Sequence, residues 1–205
     1  QRAIDEGLNH KEIAPVTIRT RRGEHTVSVD EQPHKANLEK IPQLRPAFAE
    51  NGTITPANSS SISDGASALL LASEQAVETH GLTARARIVA HSRNSLAPEA
   101  FTLAPIGAAE DVLAKAGWSV ADVDLWEINE AFAMVTMLTV DALKLDPACV
   151  NVHGGACAQG HPIGSTGSRI IVTLMHALEH YGKKRGVAAL CIGGGEATAV
   201  AIELV

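Results

Sequence analysis

From Thr55 onward, helix-like apolar spacing alternates with short apolar runs, and this alternation restricts the chain more than any other feature. Asp64 is an N-cap candidate for a helix with Ala66, Leu69, Leu70, Ala72, Ala76 and Val77 on one face, ending before Gly81. Arg87 to His91 reads as a strand, Ile106 to Ala116 as a helix closed by Gly117, Val123 to Ile128 as a strand and Ala131 to Leu145 as a helix. Cys149 to Val152 reads as another strand. Ser165 to Tyr181 reads as a long helix with Ile170, Ile171, Leu174, Met175 and Leu178 inward. Val187 to Ile192 and Thr198 to Leu204 read as strands around Gly193–Gly194–Gly195. Such an order predicts a layered α/β fold with a mixed sheet. The last two strands are joined too tightly for a helical crossover, so they should be antiparallel neighbours.

Residues 1–55 follow a different pattern. Val16 to Val29 carries basic and β-branched residues and predicts a hairpin turning at Arg22–Gly23–Glu24. Pro33, Pro42 and Pro46 then punctuate a stretch with little periodicity, which reads as an irregular arm laid on something else. The expected division is 1–55 and 56–205. The chain opens on Gln1 in what looks like a helix already under way, as a piece of a longer protein would.

Composition narrows the function. The formal net charge is −6 and aromatics make up 3% of the 205 residues, which argues against both a general electrostatic grip on nucleic acid and base stacking. The apolar stretch from Gly186 to Val205 is broken by three glycines and Glu196, so no membrane span is expected. Cys149, Cys157 and Cys191 form no disulfide framework and fit a reducing, cytoplasmic setting.

Small residues concentrate in three loops, each after an expected strand: Asn129–Glu130–Ala131–Phe132, His153 to Gly164, and Cys191 to Gly195. In open α/β sheets ligands gather outside the strand carboxyl ends, which would bring Asn129, His161 and Cys191 together. Pro162 biases His161 towards extended backbone, and the flanking glycines let the loop turn around it. That suits an aimed proton carrier, or equally a histidine capping the next helix. Cys191 reads either as a small core residue or as a thiol that exchanges protons beside N–H groups of the triple glycine. Asn129 reads either as an N-cap for the following helix or as the holder of a water or carbonyl. Glu130 is expected to support that helix start electrostatically. Cys149, His153, Cys157 and His161 recur every four residues, but Gly154, Gly155, Gly160 and Pro162 forbid the helix that would align them, so no metal site is expected. Gly160, Gly164 and Gly167 match no nucleotide fingerprint.

Taken together, Asn129–Glu130–Ala131–Phe132, Gly154–Gly155–Ala156 with Gly160–His161–Pro162–Ile163–Gly164, and Cys191–Ile192–Gly193–Gly194–Gly195 resemble the three signature motifs of thiolases, in family order and spacing. Leu44–Arg45–Pro46–Ala47–Phe48 and Ser63–Asp64–Gly65–Ala66 also resemble thiolase segments. The third motif is most similar to the biosynthetic, acetoacetyl-CoA type. The resemblance implies a thiolase-like layered αβα half with a mixed sheet over 56–205, preceded by the tail of a loop domain over 1–55. It implies acetyl-CoA acetyltransferase chemistry, with acyl-CoA as substrate, no metal and no further cofactor. His161 would activate the acyl-accepting cysteine and hold a thioester oxygen, and Cys191 would move the α-proton. Asn129 would hold an oxyanion-site water, and the Gly193 N–H would serve the second oxyanion site. Phe132 would wall the pocket, and Ser60 would lie against the pantetheine arm.

The chain departs from the family pattern in several places. The family's nucleophile motif is absent, and neither Cys149 nor Cys157 matches it. The chain therefore resembles a carboxy-terminal half, inactive alone and needing an amino-terminal half, with a homo-oligomer expected of the complete enzyme. Ser61 stands where the family often has Gly, Lys35 near where many relatives have Arg, Glu196 where Met is common and His153 where Asn is common. Competing readings are a small thioester hydrolase using Cys191 with His161, a non-catalytic dimerising half, and a zinc module.

Overall fold

The computed structural model describes residues 1–205. The arm opens with a short helix, α1 (Arg2–Asp5), and a hairpin of β1 (Val16–Thr20) and β2 (Gly23–Val27). Next come α2 (Glu74–His80), β3 (Ala86–Ser95), α3 (Ala104–Ala116), β4 (Leu125–Ile128), α4 (Ala133–Leu143), α5 (Ala156–Gln159), α6 (Thr166–His180), β5 (Arg185–Cys191) and β6 (Glu196–Leu204). The last four strands form one sheet in the order β3-β6-β5-β4. β4 and β5 are parallel, whereas β5–β6 and β6–β3 are antiparallel. The sheet is mixed and the final two strands are antiparallel neighbours, as their short connection requires.

The sheet is covered on both sides. Alternation along β4 sends Trp126 and Ile128 into one core with Val112 of α3 and Val135 of α4. It sends Leu125 into a second core with Ile170, Leu174 and Leu178 of α6. The spacing of those three α6 residues is what lays the helix on the sheet. Two parallel strands, β4 and β5, therefore end side by side between helical layers, with their carboxyl ends at Ile128 and Cys191.

Three expected elements differ. The helix expected from Ala66 is absent over 65–73, and only Glu74–His80 is helical, capped by the Ser73 side chain. A short helix needs an apolar face to pack, yet Leu70 is 86% and Leu71 71% exposed. Instead Ser67 is tied to the start of α6, through Ser165 Oγ at 2.7 Å and Ser168 Oγ at 2.6 Å. The strand expected at Cys149–Val152 shrinks to a single bridge between Trp126 and Val150. Asn151, at φ 48°, turns the backbone away, and its side chain takes over the ladder. It accepts from Ile128 N at 2.8 Å and donates to Ile128 O at 2.9 Å. The hairpin turns at Arg21–Arg22, one step before the expected position, with Gly23 already pairing Thr20.

Candidate active site

The first two small-residue loops meet beyond the carboxyl end of β4, and the third, at the end of β5, is tied through Gly195 O to Leu96 N. Asn129 leaves β4 with its N–H donated to Ala189 O of β5 at 2.9 Å. A strap over residues 58–62 binds two of the loops. Ser60 donates through N and Oγ to Ala131 O, both at 3.1 Å, and Ser59 pairs with Phe132. Farther along, Ile62 pairs with His161, whose N–H donates to Ser61 O at 2.9 Å. The expected residues Phe132, Ser60 and His161 are thus linked through one strap, and Asn129 starts the loop that the strap holds at Ala131. Cys191 and Gly193 lie at the end of the adjacent β5. No hydrogen bond joins Cys191 to His161 or Asn129.

Glu130 locks the loops in a way the sequence reading missed. It accepts from Cys157 N at 3.0 Å and from Asn151 Nδ2 at 3.2 Å. A side chain at Gly155 would run into the Glu130 carboxylate and displace it from its present grip. Gly160, at φ 90°, lets the loop fold against Ser63 before presenting His161. Glu130 and burial together push the Cys157 thiol up to about 12, so Cys157 stays protonated.

Asn129 is 1% exposed, and neither of its side-chain polar atoms has a partner. The helix after it starts at Ala133 with Phe132 at the cap position, so Asn129 does not act as an N-cap. A buried amide without partners costs stability unless a ligand or water completes it. Phe132 stands edge-on to Phe48, ring centroids 5.9 Å apart, and to Phe101 at 6.4 Å. Gly193 is exposed, its N–H is unpaired, and the space where a side chain would begin is open.

His161 Nδ1 lies 2.7 Å from Thr166 Oγ1, and that hydroxyl donates to Pro162 O at 3.0 Å. Its single hydrogen is thereby used, so it accepts from Nδ1–H and leaves Nε2 unprotonated. Burial, and then the Arg169 charge, lower the pKa of the imidazole below its ordinary 6.5. His161 is therefore a neutral base near pH 7. Burial raises the pKa of Cys191, which is 7% exposed; its thiolate is harder to form and a stronger base once formed.

A buried carboxyl–guanidinium pair lies behind this edge. Glu127 on β4 is 2% exposed and faces Arg169 of α6 at 3.7 Å. Burial pushes the Glu127 carboxyl up to about 8, against the pull of Arg169. The signal was available in the sequence: a carboxylate inside the apolar run Leu125–Ile128 needs a partner. No cluster of three or more His, Cys, Asp or Glu side chains is arranged to hold a metal ion, and Cys149, His153, Cys157 and His161 do not converge.

The family model of the thiolase C-terminal domain matches residues 82–204, and that of the N-terminal domain matches residues 1–75. This chain belongs to the thiolase family. It is 48% identical to the cytosolic acetyl-CoA acetyltransferase of Mus musculus, over 99% of this chain and 52% of that one. It is 44% identical to the mitochondrial 3-ketoacyl-CoA thiolase of Bos taurus, over 98% of this chain and 51% of that one. The crystal structure of the Bacillus anthracis acetyl-CoA acetyltransferase superposes with a TM-score of 0.95 at 41% identity, covering 100% of this chain and 52% of that one. A thiolase from Ascaris suum in complex with coenzyme A superposes at 0.92 and 42% identity, with 100% and 52% covered. The fold is that of the thiolases, and the chain spans about half the length of the curated relatives it matches. No helix is long and apolar enough to cross a membrane.

Proposed function

We propose that the chain is the carboxy-terminal part of an acetyl-CoA acetyltransferase, with residues 1–55 as the tail of a loop domain and 56–205 as the core. The observation that carries this reading is the pair at the sheet edge: a neutral His161 with Nε2 free, and a buried Asn129 amide with both polar atoms unpartnered. In the synthetic direction Cys191 gives its proton to the CoA thiolate released as the first acetyl group is transferred, and the resulting Cys191 thiolate removes a proton from the acetyl α-carbon of the second acetyl-CoA. His161 has by then taken onto Nε2 the proton of the acyl-accepting cysteine, and that N–H, with a water on Asn129, holds the enolate oxygen. The enolate carbon then attacks an acetyl-cysteine supplied by an amino-terminal half, and the tetrahedral oxyanion is held by Gly193 N–H. Collapse expels the cysteine thiolate and leaves acetoacetyl-CoA.

Ser60 and Phe132 would line the pantetheine path. A cavity of about 560 Å³ between the arm and residues 56–57 and 157–158 carries Lys35 and Lys40, which suit a phosphorylated tail. Ile62, 91% exposed, with Leu70 and Leu71, would form a face for the amino-terminal half. The hydrolase alternative lacks the Cys191–His161 hydrogen bond that a nucleophile and its base share.

The test is acetoacetyl-CoA cleavage by CoA, read by mass spectrometry. The chain alone should show no turnover, and joining it to a nucleophile-bearing thiolase half should restore it. Turnover by the chain alone, or acylation of Cys191, would contradict the proposal.

A further inference from the structure

Thr166, Arg169 and Thr173 fall at i, i+3 and i+7 on α6 and so share one side of it. Thr166 and Thr173 are fully buried, and the side chain of Arg169 is 18% exposed. Each of the three is engaged. Thr166 holds His161 Nδ1, Arg169 faces Glu127, and Thr173 donates to Glu12 Oε2 of the arm at 2.7 Å. Behind them is a cavity of about 180 Å³ lined by Asn9, Glu12, His153, Arg169 and Thr173 among others. Glu12 Oε1, Glu127 Oε1 and Arg169 Nη1 are buried without hydrogen-bond partners. The stripe therefore runs from the arm to the imidazole, one helix turn at a time.

We infer that Arg169, which faces Glu127 one turn beyond Thr166, is a positioning residue that keeps His161 uncharged while Thr166 keeps its proton on Nδ1. A fixed cation one turn from the Thr166–His161 bond disfavours a second positive charge on the imidazole. The Glu127 carboxyl supplies the anchor without cancelling that cation. Burial pushes it up to about 8, so it leaves the guanidinium undercompensated near neutral pH. The other ionisable groups around the stripe are Glu130 from the β4–α4 loop, and His153 with Arg2 from the far side of the cavity. The catalytic meaning rests on reading His161 as the base, but the following test reads the imidazole and not turnover. A failed activity assay would therefore leave this result standing, and the reverse holds too.

The experiment is a titration of the 205-residue chain labelled with ¹⁵N-histidine, using long-range ¹H–¹⁵N correlation with His161→Asn for assignment. His161 should titrate below 6.5 and show the Nδ1–H tautomer. Arg169→Met should raise its midpoint by roughly half a unit to one unit, and Arg169→Lys should not. Thr166→Val should mix the tautomers, and Thr166→Ser should restore one. If Arg169→Met does not fold, the paired change Arg169→Met with Glu127→Gln removes both charges at similar volume and should show the same rise. A midpoint that moves by less than about 0.2 unit on loss of Arg169 would overturn the inference.

Discussion

Residues 86–204 bury their apolar side chains within this chain, and residues 1–85 do not. The mixed sheet has α3 and α4 on one face and α6 on the other, with Val112, Val135, Val187, Leu174 and Leu178 fully enclosed. Across the first 85 residues only Ala3 and Pro33 are buried, and both strands of the hairpin are exposed along their whole length. Both regions carry apolar residues at regular spacing. The difference is that α6 packs its apolar side on the sheet, whereas Leu70 and Leu71 pack on nothing in this structure.

That contrast can be tested by substitution. Leu178→Ala should lower unfolding stability by ~2–5 kcal/mol, the usual result of opening a buried cavity, whereas Leu71→Ala should change it by less than about 0.5 kcal/mol. Urea denaturation of both variants checks this; equal losses would mean that the exposed segment is packed after all.

Smaller effects are expected where the two regions meet, at the Glu12, Arg169 and Glu127 seam. The folded-state pKa of Glu127 is raised to about 8 from its ordinary 4.5. A carboxyl raised in this way contributes stability that is complete below 4.5 and is lost as pH rises through 8. The unfolding free energy from denaturant titration should therefore fall by about 2 kcal/mol between roughly pH 6 and pH 8, and Glu127→Gln should flatten that fall. The histidines act at the other end. His153, His161 and His176 are all depressed by burial, so the unfolded chain takes up protons first and stability declines as pH drops below 6.5. An unchanged slope in Glu127→Gln would show that the seam is not titrating.

The same contrast explains what could be read from the chain itself. Leu174 and Leu178 meet β4 and β5 in this chain, so the periodicity of α6 named the right element. Ala66, Leu69, Leu70, Ala76 and Val77 also show helical spacing, but Leu70 stays exposed, and only Glu74–His80 of the expected helix forms. Within the candidate site, glycines and Pro162 marked the loops that carry Asn129, His161 and Cys191, and the first two of these loops do come together under one strap. Thr166 was not legible, since a threonine at a helix start is ordinary until its hydroxyl is seen beside Nδ1. Glu130 looked like an aid to the following helix, and only the fold shows it gripping Cys157 N and Asn151 across the gap.

The most direct measurement separates the two proton carriers in the chain joined to a nucleophile-bearing thiolase half. Labelled acetyl-CoA reports the acyl burst, and deuterium entering the acetyl methyl group reports α-proton exchange. Cys191→Ala should keep the burst and slow the exchange by ~10²–10⁴-fold, the typical worth of a positioned acid or base. His161→Ala should slow the burst itself. Loss of the burst in Cys191→Ala with its retention in His161→Ala would contradict the assignment of base and activator on which the account rests.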